Sequence, residues 1–148
     1  MTISGGDYTK RRSVMSSPLE RVNRTGILSW DLELLIKGMQ VSLAPSEGAG
    51  FDVLDQDGGK WEVRSITKGG VYFCPSYMKG SGRKFEEQGF LEKLEAVRGY
   101  VLSDVESFPR VPYWMIPTEI VENWWNGNLL GTSTEISRKK ALQLIEGI

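Results

Sequence analysis

Two short apolar runs separated by a glycine-rich turn, at residues 51–67, restrict the fold of this chain more than any other feature. The first run reads FDVL, the turn DQDGG and the second run KWEVRSIT. Alternating apolar and polar side chains are typical of strands, and a short Asp- and Gly-rich segment between two such runs is typical of a hairpin. We therefore predict two antiparallel strands, the second with Trp61 and Val63 on one face. The opposite face of this strand then carries Lys60, Glu62 and Arg64.

Helix and strand patterns alternate along the whole chain. We predict helices near residues 18–23, 30–39, 83–97, 119–125 and 138–148, with Ser17, Ser29, Thr118 and Ser137 as caps. We predict strands at residues 51–54, 60–67, 71–77, 99–105 and 111–117. Gly89 is unfavourable inside a helix by about 1 kcal/mol relative to Ala, so the third helix is expected to begin later than residue 83. This order predicts an α/β fold with a mixed central sheet flanked by helices.

The chain length suits one hydrophobic core. With 148 residues, 40% of them hydrophobic, we predict a flexible N-terminal arm at residues 1–16 and a single domain at residues 17–148. The first residues are polar, and no run approaches the roughly 20 apolar residues of a membrane span. The single cysteine fits a reducing compartment. We therefore expect a cytoplasmic protein without a membrane partner.

The composition excludes several classes of catalytic site. There is no histidine, which rules out Ser-His-Asp and Cys-His catalysis, imidazole bases and His-ligated zinc. Cys74 stands alone, so intrachain disulfides and cysteine-rich zinc sites are excluded as well. Hydrolytic chemistry is left to carboxylates, Lys, Tyr, Ser and hard metal ions. The net charge of −1 means that a polyanion must be bound by a local patch.

Asp52 and Glu62 face each other across the predicted turn. Two carboxylates that come close repel unless a cation lies between them. Mg²⁺ prefers one or two carboxylates together with water and phosphate oxygens, and it can polarise a phosphate and activate a water. Arg64, on the same face, would stabilise the charge that develops on the phosphate. The alternative is structural: a polar strand face is commonly solvated, and acids such as Asp55 and Asp57 commonly serve the turn.

The segment DVLDQDGGKWEVRSI, residues 52–66, resembles the catalytic stretch of the PD-(D/E)xK nuclease superfamily, in particular type II restriction endonucleases of the PvuII kind. There a metal-binding Asp is followed by a turn with Asp and Gly and then by Glu-x-Lys-Ser-Ile, at an interval that matches without a gap. The Glu-Gly pair at residues 47–48 also resembles the approach to that site. The resemblance implies a restriction-endonuclease-like fold with Mg²⁺ as cofactor. It also implies that Asp52 and Glu62 are metal ligands and that Arg64 occupies the lysine position.

Arg64 departs from the family pattern, in which this residue is usually Lys. Arg stays protonated and cannot act as a base, although it can still stabilise negative charge. Three interpretations stay open. In the first, the enzyme tolerates Arg64 and the attacking water loses its proton to bulk solvent. In the second, another lysine has taken over the role of the family lysine, either Lys60 on the same strand face or Lys68 near the end of the strand. In the third, the domain is a catalytically weakened relative.

A basic, Gly-rich stretch after the motif is the predicted DNA-binding region. Its cations are interleaved with aromatic residues, which suits phosphate contacts, and Gly80 and Gly82 allow the backbone to approach a polyanion. The residues predicted to bind DNA are Lys68, Tyr77, Lys79, Arg83 and Lys84. The alternative is a solvated loop beside a core strand, in which Phe73 and Cys74 are simply buried.

Cutting both strands of a palindrome needs two active sites, and a chain of this size offers one. We therefore predict a homodimer on double-stranded DNA, with its interface in the helices at residues 18–39. The function predicted is that of a Mg²⁺-dependent DNA endonuclease, similar to type II restriction enzymes. The alternatives are a structure-specific nuclease such as a junction resolvase, and a non-catalytic DNA-binding or assembly module on a nuclease-like fold.

Overall fold

The computed structural model describes residues 3–4, 42–44, 51–79 and 82–148 of the chain. Its strands are β1 (Ile3–Ser4), β2 (Ser42–Leu43), β3 (Val53–Leu54), β4 (Lys60–Ile66), β5 (Val71–Tyr72), β6 (Gly99–Asp104), β7 (Tyr113–Pro117) and β8 (Glu135–Ile136). Its α-helices are α1 (Glu87–Ala96), α2 (Thr118–Asn126) and α3 (Arg138–Glu146).

The strands of the described residues form one mixed sheet and one small separate pair. The order in the larger sheet is β1-β7-β6-β4-β3-β2. Strands β2, β3 and β4 are antiparallel neighbours, β4 and β6 are parallel, and β6, β7 and β1 are again antiparallel. Strands β5 and β8 pair with each other. The mixed α/β class predicted from the sequence is confirmed at this level.

Helix α1 provides the crossover that the parallel pair of β4 and β6 requires. Phe90 and Leu94 are its buried residues. Gly89 lies where a short 3₁₀ turn, Ser76–Met78, packs on the helix, and a Cβ there would lie 2.6 Å from the Tyr77 hydroxyl and would overlap Met78. A side chain at this position would require the ends of the Met78 and Tyr77 side chains to shift. The helix begins at Glu87, which confirms the expectation that it starts later than residue 83, although Gly89 itself lies inside it.

The buried core draws on β6, β7 and all three helices. Every residue of β6 is buried, and the strand lies within the predicted range 99–105. The largest core side chains include Tyr100, Phe73, Phe90 and Ile116. Phe73 stacks edge-on against Tyr100 and Trp124, so its core assignment is confirmed. Cys74 is buried as well.

Helix α3 is tied to the end of β6 by an ion pair. Arg138 donates from Nε and Nη2 to the two carboxylate oxygens of Asp104, at 2.9 and 2.7 Å. Asp104 is buried, and bidentate pairs of this kind fix geometry as well as charge. Ser137 accepts a hydrogen bond from the Lys140 backbone N–H at 3.1 Å, which confirms the predicted cap.

The aromatic pair at the end of α2 packs on its own chain. Trp124 is buried, and the Trp125 ring lies 5.7 Å from that of Phe85 and 5.3 Å from that of Phe90. The Trp125 indole N–H also donates to Glu87 at 3.1 Å. Within the described ranges, these contacts favour same-chain packing over a place in an interface.

Some predicted boundaries are wrong. Thr118 is the first residue of α2 rather than its cap, since Pro117 holds the cap position and makes no side-chain bond. The run predicted as one strand at residues 71–77 is a strand only at Val71–Tyr72. The two-residue strand β8 was not predicted, because two residues carry no periodicity.

Residues assigned to the N-terminal arm include β1, in which Ile3 and Ser4 pair with Met115 and Trp114 of β7. The helices predicted at residues 18–39, and with them the predicted interface, lie outside the described residues. No helix in the described ranges has the length and apolar content of a membrane span.

Candidate active site on the central sheet

The hairpin of β3 and β4 places Asp52 beside β4. The Asp52 backbone N–H donates to the Trp61 carbonyl at 2.9 Å, and the Asp52 Oδ2 accepts the Val63 backbone N–H at 2.8 Å. These two bonds orient the Asp52 carboxylate toward the strand face that carries Glu62 and Arg64. The predicted proximity of the two acids therefore arises from ordinary hairpin pairing.

Asp52 and Glu62 converge on one guanidinium. The Arg64 Nη1 lies 2.8 Å from the Glu62 Oε2 and 3.8 Å from the Asp52 Oδ2. The side chains of Glu62 and Arg64 are only 5% and 2% exposed. The structural alternative for this strand face, a solvated row of charges, is therefore wrong: these are buried ion pairs, which are costly to desolvate unless their geometry is well satisfied.

Both terminal nitrogens of Arg64 are engaged. Its Nη1 donates to the Val63 carbonyl and its Nη2 to the Cys74 carbonyl, both at 3.0 Å. The guanidinium carbon lies 4.8 Å from the centre of the Tyr72 ring and 5.9 Å from that of Tyr100. Burial alone would lower the pKa of Arg64, but Glu62 and the other groups around it raise the pKa above its ordinary value. Arg64 is therefore a fixed positive charge.

Tyr100 fixes one wall of this site. It lies opposite Glu62 in the parallel pairing of β4 and β6. Its hydroxyl donates to the Phe73 carbonyl at 2.7 Å, and burial raises the pKa of the phenol. The ring therefore stays neutral and in place, and it holds the Arg64 guanidinium against the two acids.

Lys93, on α1, is a member of the site that the sequence did not reveal. Its ammonium lies 3.0 Å from the Glu62 Oε1, and its side chain is 14% exposed. In the sequence it occurs among the charged residues of FLEKLE, where it is indistinguishable from a surface lysine. Only the placement of α1 over the sheet brings it to Glu62.

The lysines that the sequence offered as replacements lie elsewhere. Lys60 is exposed, and its ammonium lies 5.5 Å from the centre of the Phe51 ring. Lys68 is exposed in the turn between β4 and β5. The lysine that reaches Glu62 within the described residues is Lys93.

Burial and repulsion by Glu62 disfavour the charged form of Asp52. Burial, together with the negative charge of Glu62, raises the pKa of Asp52 to about 6, although Arg64, the Val63 N–H and Lys93 act in the opposite direction. A divalent ion beside this carboxylate would favour its charged form.

The donor chemistry also fits Mg²⁺. Asp52 and Glu62 supply carboxylate oxygens, which are the protein ligands that Mg²⁺ uses, one or two at a time, alongside water and phosphate. The described residues contain no cluster of three or more His, Cys, Asp or Glu side chains that could hold a metal. A two-carboxylate site is thus the arrangement that these residues offer.

Asp55 has the structural role proposed for it as the alternative. Its Oδ1 accepts the backbone N–H groups of Asp57 and Gly59, at 2.9 and 2.7 Å. Its Oδ2 accepts the Trp61 indole N–H and pairs with Arg98, both at 2.9 Å. Gly58 supplies the positive φ of 81° that the turn needs. Asp55 therefore builds the hairpin that positions Asp52.

The predicted DNA-binding residues lie on the surface around the β4–β5 turn and the approach to α1. Lys68, Arg83 and Lys84 are exposed, and Tyr77 is 59% exposed. Arg83 donates to the Tyr77 carbonyl at 3.2 Å. Lys79 differs from the others because it pairs with Glu135 at 2.7 Å and lies over the Tyr72 ring. Its charge is already partly compensated.

The raised pKa of Asp52 predicts a pH-dependent stability in the metal-free protein. An acid whose pKa is higher in the folded chain favours folding below its unfolded pKa, and this contribution is lost as the pH rises through about 6. We expect the wild type to lose about 2–3 kcal/mol of unfolding free energy relative to D52N between about pH 4 and about pH 7.5. Urea unfolding of both proteins in EDTA measures this. A difference that stays constant with pH would contradict the burial of Asp52 beside Glu62.

Comparison of the chain with models of known protein families, with curated proteins and with solved structures found no match. The resemblance to PD-(D/E)xK nucleases therefore rests on the motif at residues 47–66 and stays a prediction. The functional argument depends on the geometry of the site.

Proposed function

We propose that this chain is a Mg²⁺-dependent DNA endonuclease with a restriction-endonuclease-like fold. The observation that carries the proposal is the convergence of Asp52, which directly precedes β3, and Glu62, on β4, on one buried guanidinium. A carboxylate whose pKa is perturbed by burial and by a specific charged neighbour is a candidate for a functional site.

The topology supports the same proposal. Glu62 lies on β4 and Asp52 directly precedes its antiparallel neighbour β3, while the parallel strand β6, reached through α1, flanks β4 on its other side. This is a mixed central sheet with helices, as the family resemblance implies. The arrangement of the sheet and the motif at residues 52–66 are therefore both compatible with the resemblance.

The residues of the site would have separate roles in phosphodiester hydrolysis. Bound Mg²⁺ would supply Lewis-acid polarisation of the phosphate and activation of the attacking water. Asp52 and Glu62 would hold the ion, and Arg64 would keep the two carboxylates at a fixed separation. The exposed cations Lys68, Arg83 and Lys84 would neutralise phosphates of the duplex and so supply affinity.

A second candidate function has an observation of its own. Arg64 and Lys93 balance the charges of Asp52 and Glu62 without a metal ion. Such a neutral cluster suits a non-catalytic DNA-binding or assembly module, in which the acids and cations have only a structural role. A junction resolvase and a homodimeric restriction-like enzyme share the chemistry of the first proposal and differ in substrate.

Incubation of the full chain with supercoiled plasmid and with a four-way junction distinguishes these functions. Each substrate is tested with Mg²⁺, with Mn²⁺ and with EDTA. Discrete plasmid fragments that require metal support a restriction-like enzyme, and cutting confined to the junction supports a resolvase. Binding without cutting under all conditions would overturn the endonuclease proposal in favour of the module.

A further inference from the structure

Arg64, which the motif places at the catalytic lysine position, has no free face toward a substrate. Its Nη1 is engaged by Glu62 and the Val63 carbonyl, and its Nη2 by the Cys74 carbonyl. Its Nε is buried and has no hydrogen-bond partner in the part of the chain that the structure describes. A phosphate oxygen would have to displace one of these groups to reach the guanidinium, and the Tyr72 and Tyr100 rings pack against it.

Lys93 is differently placed. Its ammonium contacts the same carboxylate, Glu62, from the α1 side, and its side chain is 14% exposed where that of Arg64 is 2% exposed. A lysine side chain has four rotatable methylenes and three donors, so its ammonium can turn toward solvent while its stem stays packed. It is therefore the cation of this site that an incoming phosphate can meet.

We propose that Lys93 is the cation that contacts the scissile phosphate, and that Arg64 is a positioning residue which holds Asp52 and Glu62 together. This inference rests on the proposed nuclease function and names the residue that replaces the missing lysine of the motif. The role given to Lys93 is electrostatic: it stabilises negative charge on the phosphate and transfers no proton.

The position of Lys93 has a consequence for metal binding. Its ammonium holds the Glu62 Oε1, an oxygen that a divalent ion would use. A divalent ion at this oxygen would therefore compete with the Lys93 ammonium for it. Removal of the Lys93 charge is expected to leave metal affinity unchanged or to raise it, because a repelling and competing cation is lost.

The test compares wild type, K93M, K93R and the control R98M. Arg98 pairs with Asp55 in the same hairpin and is 51% exposed, so R98M makes the same change in net charge without touching Glu62. Single-turnover cleavage of DNA should slow by about 100-fold or more in K93M and by less than about tenfold in K93R and R98M. Mn²⁺ titration by calorimetry should show K93M binding at least as tightly as the wild type.

Each outcome decides the proposal. Wild-type cleavage by K93M, weaker Mn²⁺ binding by K93M, or a K93R variant as slow as K93M would each overturn it while the nuclease function stands. A wild type that neither binds Mn²⁺ nor cuts DNA would remove the nuclease function and this inference with it. Thermal melting checks that K93M is folded at the assay temperature, and K93Q takes its place if it is not.

Discussion

Glu62→Gln is expected to abolish DNA cleavage while DNA binding persists. The amide keeps the size of the side chain but removes the charge that binds Mg²⁺, and it leaves Asp52 as the single charged ligand of the pair. Loss of the ion's contribution corresponds to at least about a 1,000-fold lower rate. The measurement is single-turnover cleavage with Mg²⁺ beside a gel-shift titration in Ca²⁺, in which binding should stay within about threefold of wild type.

Glu92→Gln is the matched control for this substitution. Glu92 lies on the exposed side of α1 and accepts a hydrogen bond from Gln88 at 3.4 Å, so the same chemical change is made away from the site. We expect E92Q to cut DNA at the wild-type rate. If E62Q also cut at that rate, Glu62 would not be a metal ligand and the nuclease proposal would fail.

The sequence predicts the position of the acids well because the relevant information is local. The alternation in KWEVRSIT and the turn chemistry of DQDGG determine which residues of β4 share a face and which residue of the first strand lies opposite. Asp52 and Glu62 therefore converge without help from distant parts of the chain. The buried strand β6 and the cap at Ser137 are likewise readable from a few consecutive residues.

The same reasoning cannot find Lys93 or the burial of Arg64. Lys93 reaches Glu62 because α1 packs across the sheet, and helix placement depends on tertiary contacts that no spacing encodes. Arg64 is buried because Tyr72, Tyr100 and the Cys74 carbonyl surround it, and these come from β5, β6 and the loop after β5. From sequence alone, a charged residue on a strand is expected to be exposed to solvent, because its partners are not known.

The surroundings of Arg64 also explain why arginine suits this position. A planar guanidinium donates from one nitrogen to Glu62 and from the other to the Cys74 carbonyl, while its faces lie against two aromatic rings. A lysine ammonium is a compact point charge that cannot span both partners or stack in this way. The motif's departure from lysine is therefore consistent with a structural role for this residue and a separate cation for the phosphate.

Arg64→Met is expected to be the most destabilising substitution in the site. Methionine fills much of the space but leaves Asp52 and Glu62 buried with only Lys93 to offset them, and loss of one partner of a buried ion pair costs about 3–5 kcal/mol. That is a large share of the roughly 5–15 kcal/mol that holds a domain together. Urea unfolding at neutral pH in EDTA measures the loss, and R64K, which keeps the charge but not the Cys74 bond, should lie between R64M and the wild type.

Two further variants separate charge burial from lost packing. R98M removes an exposed partner of Asp55 and should cost less than about 1 kcal/mol, as surface ion pairs do. If the cost of R64M comes from uncompensated charge, adding E62Q to R64M should restore part of the stability, so that the two losses are less than additive. Full additivity, or an R64M variant within about 1 kcal/mol of wild type, would show that Arg64 does not hold the carboxylates together. The division of roles between Arg64 and Lys93 would then have lost its physical basis, whatever the activity of the enzyme.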